Sequence, residues 1–206
     1  MNKKKHISLS VPYLSSKEKK YLSNCVDSNW LSSAGPYVSE FEKKFAQYVG
    51  AKYGIACSSG TSALHLSLIA LGIGEGDMVI VSSLTFIASV NAIKYVGAEP
   101  ILVDAEESSW QMDTELVEEF LRKDCYKKEN SSFHKKSNKK VAAIIPVHIL
   151  GHSCDIIKLK DISSKFNIPI IEDAAEAVGV TTENKHLGSF GLVGCFSFNG
   201  NKTITS

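Results

Sequence analysis

Short apolar runs alternate with helical patterns along most of this chain, and that alternation limits its fold more than any single motif does. The strand candidates are 53–57, 78–81, 100–103, 141–146, 168–171 and 194–198, and between them helical spacing covers 61–71, 86–95, 113–123 and 155–166. Strand and helix in strict alternation predict right-handed crossovers and a mainly parallel sheet with helices on both faces. Ahead of the first strand candidate, a helical stretch over 16–28 and the break Gly35-Pro36 lead into a second helix. In that helix Val38, Phe41, Phe45 and Val49 share one face, and Gly50 stops it.

In a sheet of this kind ligands gather where the strands end at their carboxyl termini, so polar residues just past the apolar runs are the candidates for chemistry. Composition narrows what they meet. The chain has 206 residues, 44% of them hydrophobic, enough for one sizeable domain or two small ones. Its 23 Lys+Arg against 22 Asp+Glu leave a formal charge of +1, which recommends neither a nucleic acid nor a membrane surface as partner. The five cysteines are odd in number and widely spaced, so no disulfide framework or zinc knuckle is predicted. The basic N-terminus lacks an apolar stretch of signal-peptide length, and the longest apolar run, 141–150, is too short to span a bilayer; a cytoplasmic protein is expected. Residues 122–140 are polar, basic and aperiodic, which predicts a solvated loop, with a docking patch for an anionic partner as the other reading.

Four stretches stand out. Cys57-Ser-Ser-Gly-Thr-Ser-Ala-Leu-His65 runs from a strand end through small hydroxyl residues into a helix. Its free N–H groups favour a phosphate, although Ser and Thr are also simply good N-caps. Ile168-Pro-Ile-Ile-Glu-Asp173 delivers two acids at a strand end, suited to a metal, to acid–base work, to one cationic group, or to capping the next helix. Adjacent strand residues point to opposite faces, however, so Glu172 and Asp173 are not expected to share one site. His148 and His152 have helix-like ligand spacing, but Gly151 makes their segment a turn, which favours packing or a substrate-side role over zinc. Lys202 follows the last apolar run on a loop with Gly200; singly it reads as a solvated charge, or as an amine able to condense with a carbonyl. Together, a phosphate-ready helix start, an acid at a second strand end and a lysine at a third are the groups pyridoxal phosphate requires.

In order and spacing, SSGTSALHL (58–66), GDMVIVSSLTFIASVNAI (76–93), PVHILGH (146–152), IEDAAEAVG (171–179) and GCFSFNGNK (194–202) resemble the DegT group of nucleotide-sugar aminotransferases, pyridoxal-phosphate enzymes of the aspartate aminotransferase fold. The resemblance runs from about residue 8 to the end. It implies that Lys202 forms the Schiff base with the cofactor, that Asp173 pairs with the pyridine nitrogen and that Phe86 stacks on the ring. It puts Gly60, Thr61 and Ser62 at the phosphate and gives Ser197 a further cofactor hydrogen bond; Glu176 falls where many members carry Gln or His beside the ring. The implied reaction moves an amino group, usually from glutamate, to a keto carbon of a nucleotide-linked sugar. SFNGNK and the basic segment 122–140 look most like the branch acting on 4-keto-6-deoxy sugars for surface polysaccharide or nonulosonic acid synthesis.

The resemblance also implies a homodimer, an antiparallel strand after the lysine and a smaller C-terminal domain. Residues 1–206 would then be an incomplete cofactor-binding large domain, with 1–36 as its N-terminal helical segment, and a chain ending at 206 would leave two strand edges open and is expected to be inactive. Two rival readings are a non-catalytic or truncated relative and a sugar dehydratase of the same family, in which histidine replaces the lysine; Lys202 opposes the latter.

Overall fold

The computed structural model describes residues 7–8, 10–33 and 35–205. Helix α1 (Ser16–Asp27) starts in a capping box: the Ser15 side chain accepts from the first turn while Glu18 reaches back to the Ser15 N–H. None of its residues is buried. Helix α2 (Pro36–Val49) begins with Pro at its first position and ends at Gly50, whose φ of 74° is the left-handed conformation of a helix C-terminus.

The core is a parallel sheet. Strand β1 (Asp77–Ser82) pairs with β2 (Glu99–Val103) on one side and β5 (Lys140–Ile145) on the other, both in parallel. Single bridges, Ile144 to Ile170 and Val147 to Asp173, join β5 to β6 (Ile171–Asp173), which pairs in parallel with β9 (Val193–Cys195). Helices α3 (Gly60–Ala70) and α4 (Ala88–Tyr95) cover one face, where Leu64, Leu68, Ala92 and Ile93 meet Val79, Val81, Ala143 and Ile145. On the other face α5 (Thr114–Lys123) and α6 (Ile156–Phe166) bring Val117, Leu121, Leu159 and Ile162 against Ile80 and Ile144. Neighbouring strand residues thus feed different cores, the two-residue period of a sheet buried on both sides.

Two expectations need correction. Residues 125–134 are not a solvated loop but an antiparallel hairpin, β3 (Cys125–Lys128) and β4 (Ser131–His134), and β4 extends the sheet along the first residues of β5. Its polar residues face solvent on one side, while Cys125 and Ser132 are buried, the Ser132 hydroxyl donating to the Phe166 carbonyl. Residues 53–57 form no strand, and Tyr53 and Ile55 are about three-quarters exposed. A strand needs a ladder partner, and among the described residues none lies beside this segment; the Ala56 N–H donates instead to Glu42. A small antiparallel hairpin pairs β7 (Thr181–Thr182) with β8 (Lys185–His186).

Candidate active site

The candidate residues sit where β6 and β9 end side by side. Pairing of Asp173 with Cys195 fixes the relative height of the two strands, and the Ala174 N–H donates to the Cys195 carbonyl. Gly194 lets the segment at Gly188 lie close against β9: a Cβ there would lie 1.8 Å from the Gly188 carbonyl oxygen. Beyond β9 the chain is held by aromatic packing. Phe41 and Phe45, one helical turn apart on α2, meet Phe198 edge-on at 5.1 Å, and Phe45 meets Phe196 at 4.9 Å. A turn closed by the Lys202 N–H on the Asn199 carbonyl then presents the lysine.

Lys202 Nζ lies 2.8 Å from Glu176 Oε1, with the lysine side chain only 16% exposed. Glu176 Oε2 accepts the Leu150 N–H at 2.9 Å. Burial pushes the Glu176 carboxyl up, but the lysine and that N–H outweigh it and leave it below the usual carboxylate range. Leu150 belongs to a 3-10 turn, Ile149–Gly151, with a positive φ of 54°. Buried Gln111 steadies this turn by accepting from the Ile149 N–H and donating to the Ile149 carbonyl.

Asp173 and Glu172 face opposite ways, as the strand period requires. Asp173 is buried, with the Ser89 hydroxyl on Oδ2 at 2.7 Å and the Ala175 N–H on Oδ1 at 3.2 Å. Burial raises its carboxyl above the ordinary range, although Ser89, the Ala175 N–H and the nearby His148 and Lys202 act in the opposite direction. Glu172 is fully buried on the other side, accepting from the Gly188 N–H at 2.7 Å, the Gly191 N–H at 2.5 Å and His148 Nε2 at 3.0 Å. His148 Nδ1 accepts the Cys154 N–H, which places a ring proton on Nε2, toward Glu172. His148 is therefore spent on packing, and its N–H holds the Asp173 carbonyl.

At the start of α3, the Ser59 side chain caps the Ser62 N–H, and Ser62 Oγ lies within hydrogen-bond reach of both Ser58 and Ser59. A Cβ on Gly60 would come 3.1 Å from Ser197 Cβ, so the helix start and the strand-end loop pack closely only with glycine there. Gly60 thus lies beside Ser197, and Gly60, Thr61 and Ser62 form the first turn of α3, at the positive end of its dipole. Phe86 precedes α4 and is about three-quarters exposed, its carbonyl accepting the Ser89 N–H. Sequence reasoning missed Ser89 and Gln111. The first lies three residues after Phe86, one helical turn on, but a serine at such a spacing carries no distinctive signal.

The arrangement offers an amine able to attack a carbonyl or carry a proton, a dry carboxylate for a cationic N–H, and a helix start for an anion. Residues 12–206 match the family described as the DegT/DnrJ/EryC1/StrS aminotransferase family. The chain is 46% identical to GDP-perosamine synthase of Escherichia coli O157:H7, over 98% of its own length and 51% of that protein. It spans about half the length of the curated relatives it matches. Among solved structures, an aminotransferase from Psychrobacter cryohalolentis superposes with a TM-score of 0.83 at 32% identity, covering 95% of this chain and 46% of the other. The PLP form of a sugar aminotransferase described as Spr1654 from Streptococcus pneumoniae superposes with a TM-score of 0.78 at 28% identity, covering 98% and 51%.

Proposed function

The chain belongs to the DegT/DnrJ/EryC1/StrS aminotransferase family, and from that premise we propose that it forms the cofactor-binding large domain of a pyridoxal-phosphate-dependent sugar aminotransferase. The whole protein would transfer an amino group, from glutamate as the expected donor, to the 4-keto carbon of a nucleotide-linked 6-deoxy sugar. Among such sugars a GDP-linked one is favoured by the 46% identity to a GDP-perosamine synthase. The observation that carries the reading is the convergence, on paired strand ends, of a buried carboxylate at Asp173 and a largely buried amine at Lys202.

The residues fit the group. Lys202 would anchor it covalently, Asp173 would face its ring nitrogen, the N–H groups of Gly60 and Thr61 with the Ser62 and Ser197 hydroxyls would take its phosphate, and Phe86 would cover its ring. When bound, pyridoxal phosphate supplies an aldehyde for amines and a protonated ring that accepts electrons as a Cα proton leaves. Asp173, buried at the end of β6, would hold the proton on that ring nitrogen by the negative charge of its ionised form. Lys202, when not joined to the cofactor, would move a proton at the substrate carbon, with Glu176 holding its Nζ in place. A lysine at this position sets the protein apart from the dehydratase branch.

A homodimer and a cytoplasmic location belong to the same reading. Support for an interface comes from the exposed apolar side chains of Leu84, Phe86, Ile87, Trp110 and Leu150, all on loops past strand ends or at the start of α4. No helix among the described residues is long and apolar enough to cross a membrane.

The test is an absorbance spectrum with added pyridoxal phosphate. A visible band that disappears in Lys202→Ala, with glutamate-dependent amination of GDP-4-keto-6-deoxymannose by the family-length protein, is the expected result. No band in the family-length protein rules the cofactor out.

A further inference from the structure

The Ser89 hydroxyl is fully buried and lies 2.7 Å from Asp173 Oδ2, although the two residues are 84 positions apart in sequence. A serine carries one proton. At this distance from a carboxylate that proton is committed to Asp173, so in the 3.0 Å contact of Ser89 Oγ with Thr85 Oγ1 the donor is Thr85, whose hydroxyl shares its proton with the Phe86 carbonyl at 3.2 Å. When Thr85 donates to Ser89, Thr85 to Ser89 to Asp173 is a directed chain of hydroxyls ending on the carboxylate, each bond polarising the next. It starts in the turn that presents Phe86, whose carbonyl also receives the Ser89 N–H.

We propose that Ser89, oriented by Thr85, is a positioning residue that holds the Asp173 carboxylate in its orientation and in its working charge state. The proposal deepens the aminotransferase reading and rests on Asp173 as the ring-nitrogen partner. A carboxyl removed from water reverts toward the neutral acid, and a neutral acid cannot hold a proton on a ring nitrogen by charge. Besides Ser89, the groups facing Asp173 are the Ala175 N–H, His148 from the end of β5, Lys202 from the loop after β9 and the Cys195 thiol of β9, with Glu172 next to it pointing away. His148 turns its Nε2 to Glu172, and Lys202 is engaged by Glu176. Among the described residues Ser89 is thus the one side-chain hydroxyl committed to the carboxylate, and it comes from a different layer of the fold, so it ties α4 to β6 at the site.

The experiment follows the Asp173 side-chain carboxyl carbon by NMR as a function of pH, in the chain without cofactor, with the resonance assigned by its loss in Asp173→Asn. In Ser89→Ala the titration midpoint is expected to rise by about one pH unit, the size that one strong hydrogen bond to the ionised form supplies. Ser89→Thr, which keeps the hydroxyl, is expected to restore the wild-type midpoint. Thr85→Val, nearly the same shape at a half-buried site, is expected to move it in the same direction by less, and keeps the test open if a variant at the fully buried position fails to fold. An unchanged midpoint in Ser89→Ala, or in Thr85→Val where Ser89→Ala does not fold, overturns the proposal. Because no cofactor is present, this result is independent of the absorbance test: a missing visible band would end the cofactor reading and leave the Ser89–Asp173 measurement standing.

Discussion

Lys202 Nζ and Glu176 Oε1 form an ion pair at 2.8 Å, and the second oxygen of the same carboxylate is fixed by the Leu150 N–H. A carboxylate held from behind cannot follow the lysine when it moves, so the pair restrains the amine rather than merely neutralising it. Condensation with a carbonyl requires Nζ to leave Glu176 and give up a proton. Glu176→Gln keeps the shape and removes the charge. The side chain of Glu176 is 39% exposed, and a solvent-touched pair is worth at most about 1 kcal/mol, which corresponds to roughly a five-fold change in rate. Reductive methylation by formaldehyde and cyanoborohydride, read at the Lys202 peptide by mass spectrometry, is therefore expected to run several-fold faster in the variant at neutral pH. An equal rate in both proteins would show that the pair exerts no restraint.

Glu172 organises the other side of β6. Its carboxylate collects three donors from two places in the chain, Gly188 and Gly191 of one loop and His148, with no solvent to replace them. Burial pushes its carboxyl up, but these bonds outweigh burial and bring it below the ordinary 4.5. A depressed native value contributes stability that is present above 4.5 and lost as pH falls through the native value. Glu172→Ala strands all three donors and is expected to cost about 3–5 kcal/mol in denaturant unfolding. It should also flatten the acid limb of the stability profile below pH 4.5. A loss under 1 kcal/mol would mean that water enters and satisfies them.

Much of this was legible in the sequence, for identifiable reasons. Residues such as Val79, Ile80 and Val81 are apolar without a break because both faces of β1 are covered, so the run itself announces a parallel sheet. Asp173 and Lys202 could be singled out because they follow such runs directly. The β3–β4 hairpin could not, since its lysines and serines mask a strand pair whose stability comes from the free edge of β5 rather than from its own apolar residues. Residues 53–57 misled in the opposite direction: their composition suits a strand, but strand formation is a property of two segments, and among the described residues the second is not there. Ser89 was illegible because its partner lies 84 residues away.

Phe45 makes a mechanical prediction. It bridges α2 to the loop carrying Lys202 through edge-on contacts with Phe196 and Phe198. Phe45 is half-buried, so Phe45→Ala is expected to cost about 2 kcal/mol, below the ~3–5 kcal/mol of a fully buried phenylalanine. The same substitution should loosen the turn at Asn199 and raise amide exchange from Phe198 to Lys202 more than in β1 or β5. Uniform acceleration across the sheet would show that the aromatic cluster supports the whole domain and not this loop.

Asp173 separates stability from function by its sign. Burial raises its native carboxyl above the ordinary 3.8, so the charged form is a cost that the fold carries for the site. For a group whose native value is raised, the contribution to stability is fully present below the unfolded value and is lost as pH rises through the native one. Asp173→Asn removes that loss. The variant is therefore expected to melt no lower than the wild type at pH 7, and its melting temperature relative to the wild type should fall as pH is lowered toward 3.8, where the native aspartate takes up its proton. Turnover by the family-length protein should fall by orders of magnitude in the same variant, because an amide carries no charge to hold a proton on a ring nitrogen. Equal turnover would remove Asp173 from the site. A variant that melts lower at pH 7 than at pH 4, relative to the wild type, would mean that the Ser89 and Ala175 hydrogen bonds more than offset burial and that the carboxylate stabilises the fold.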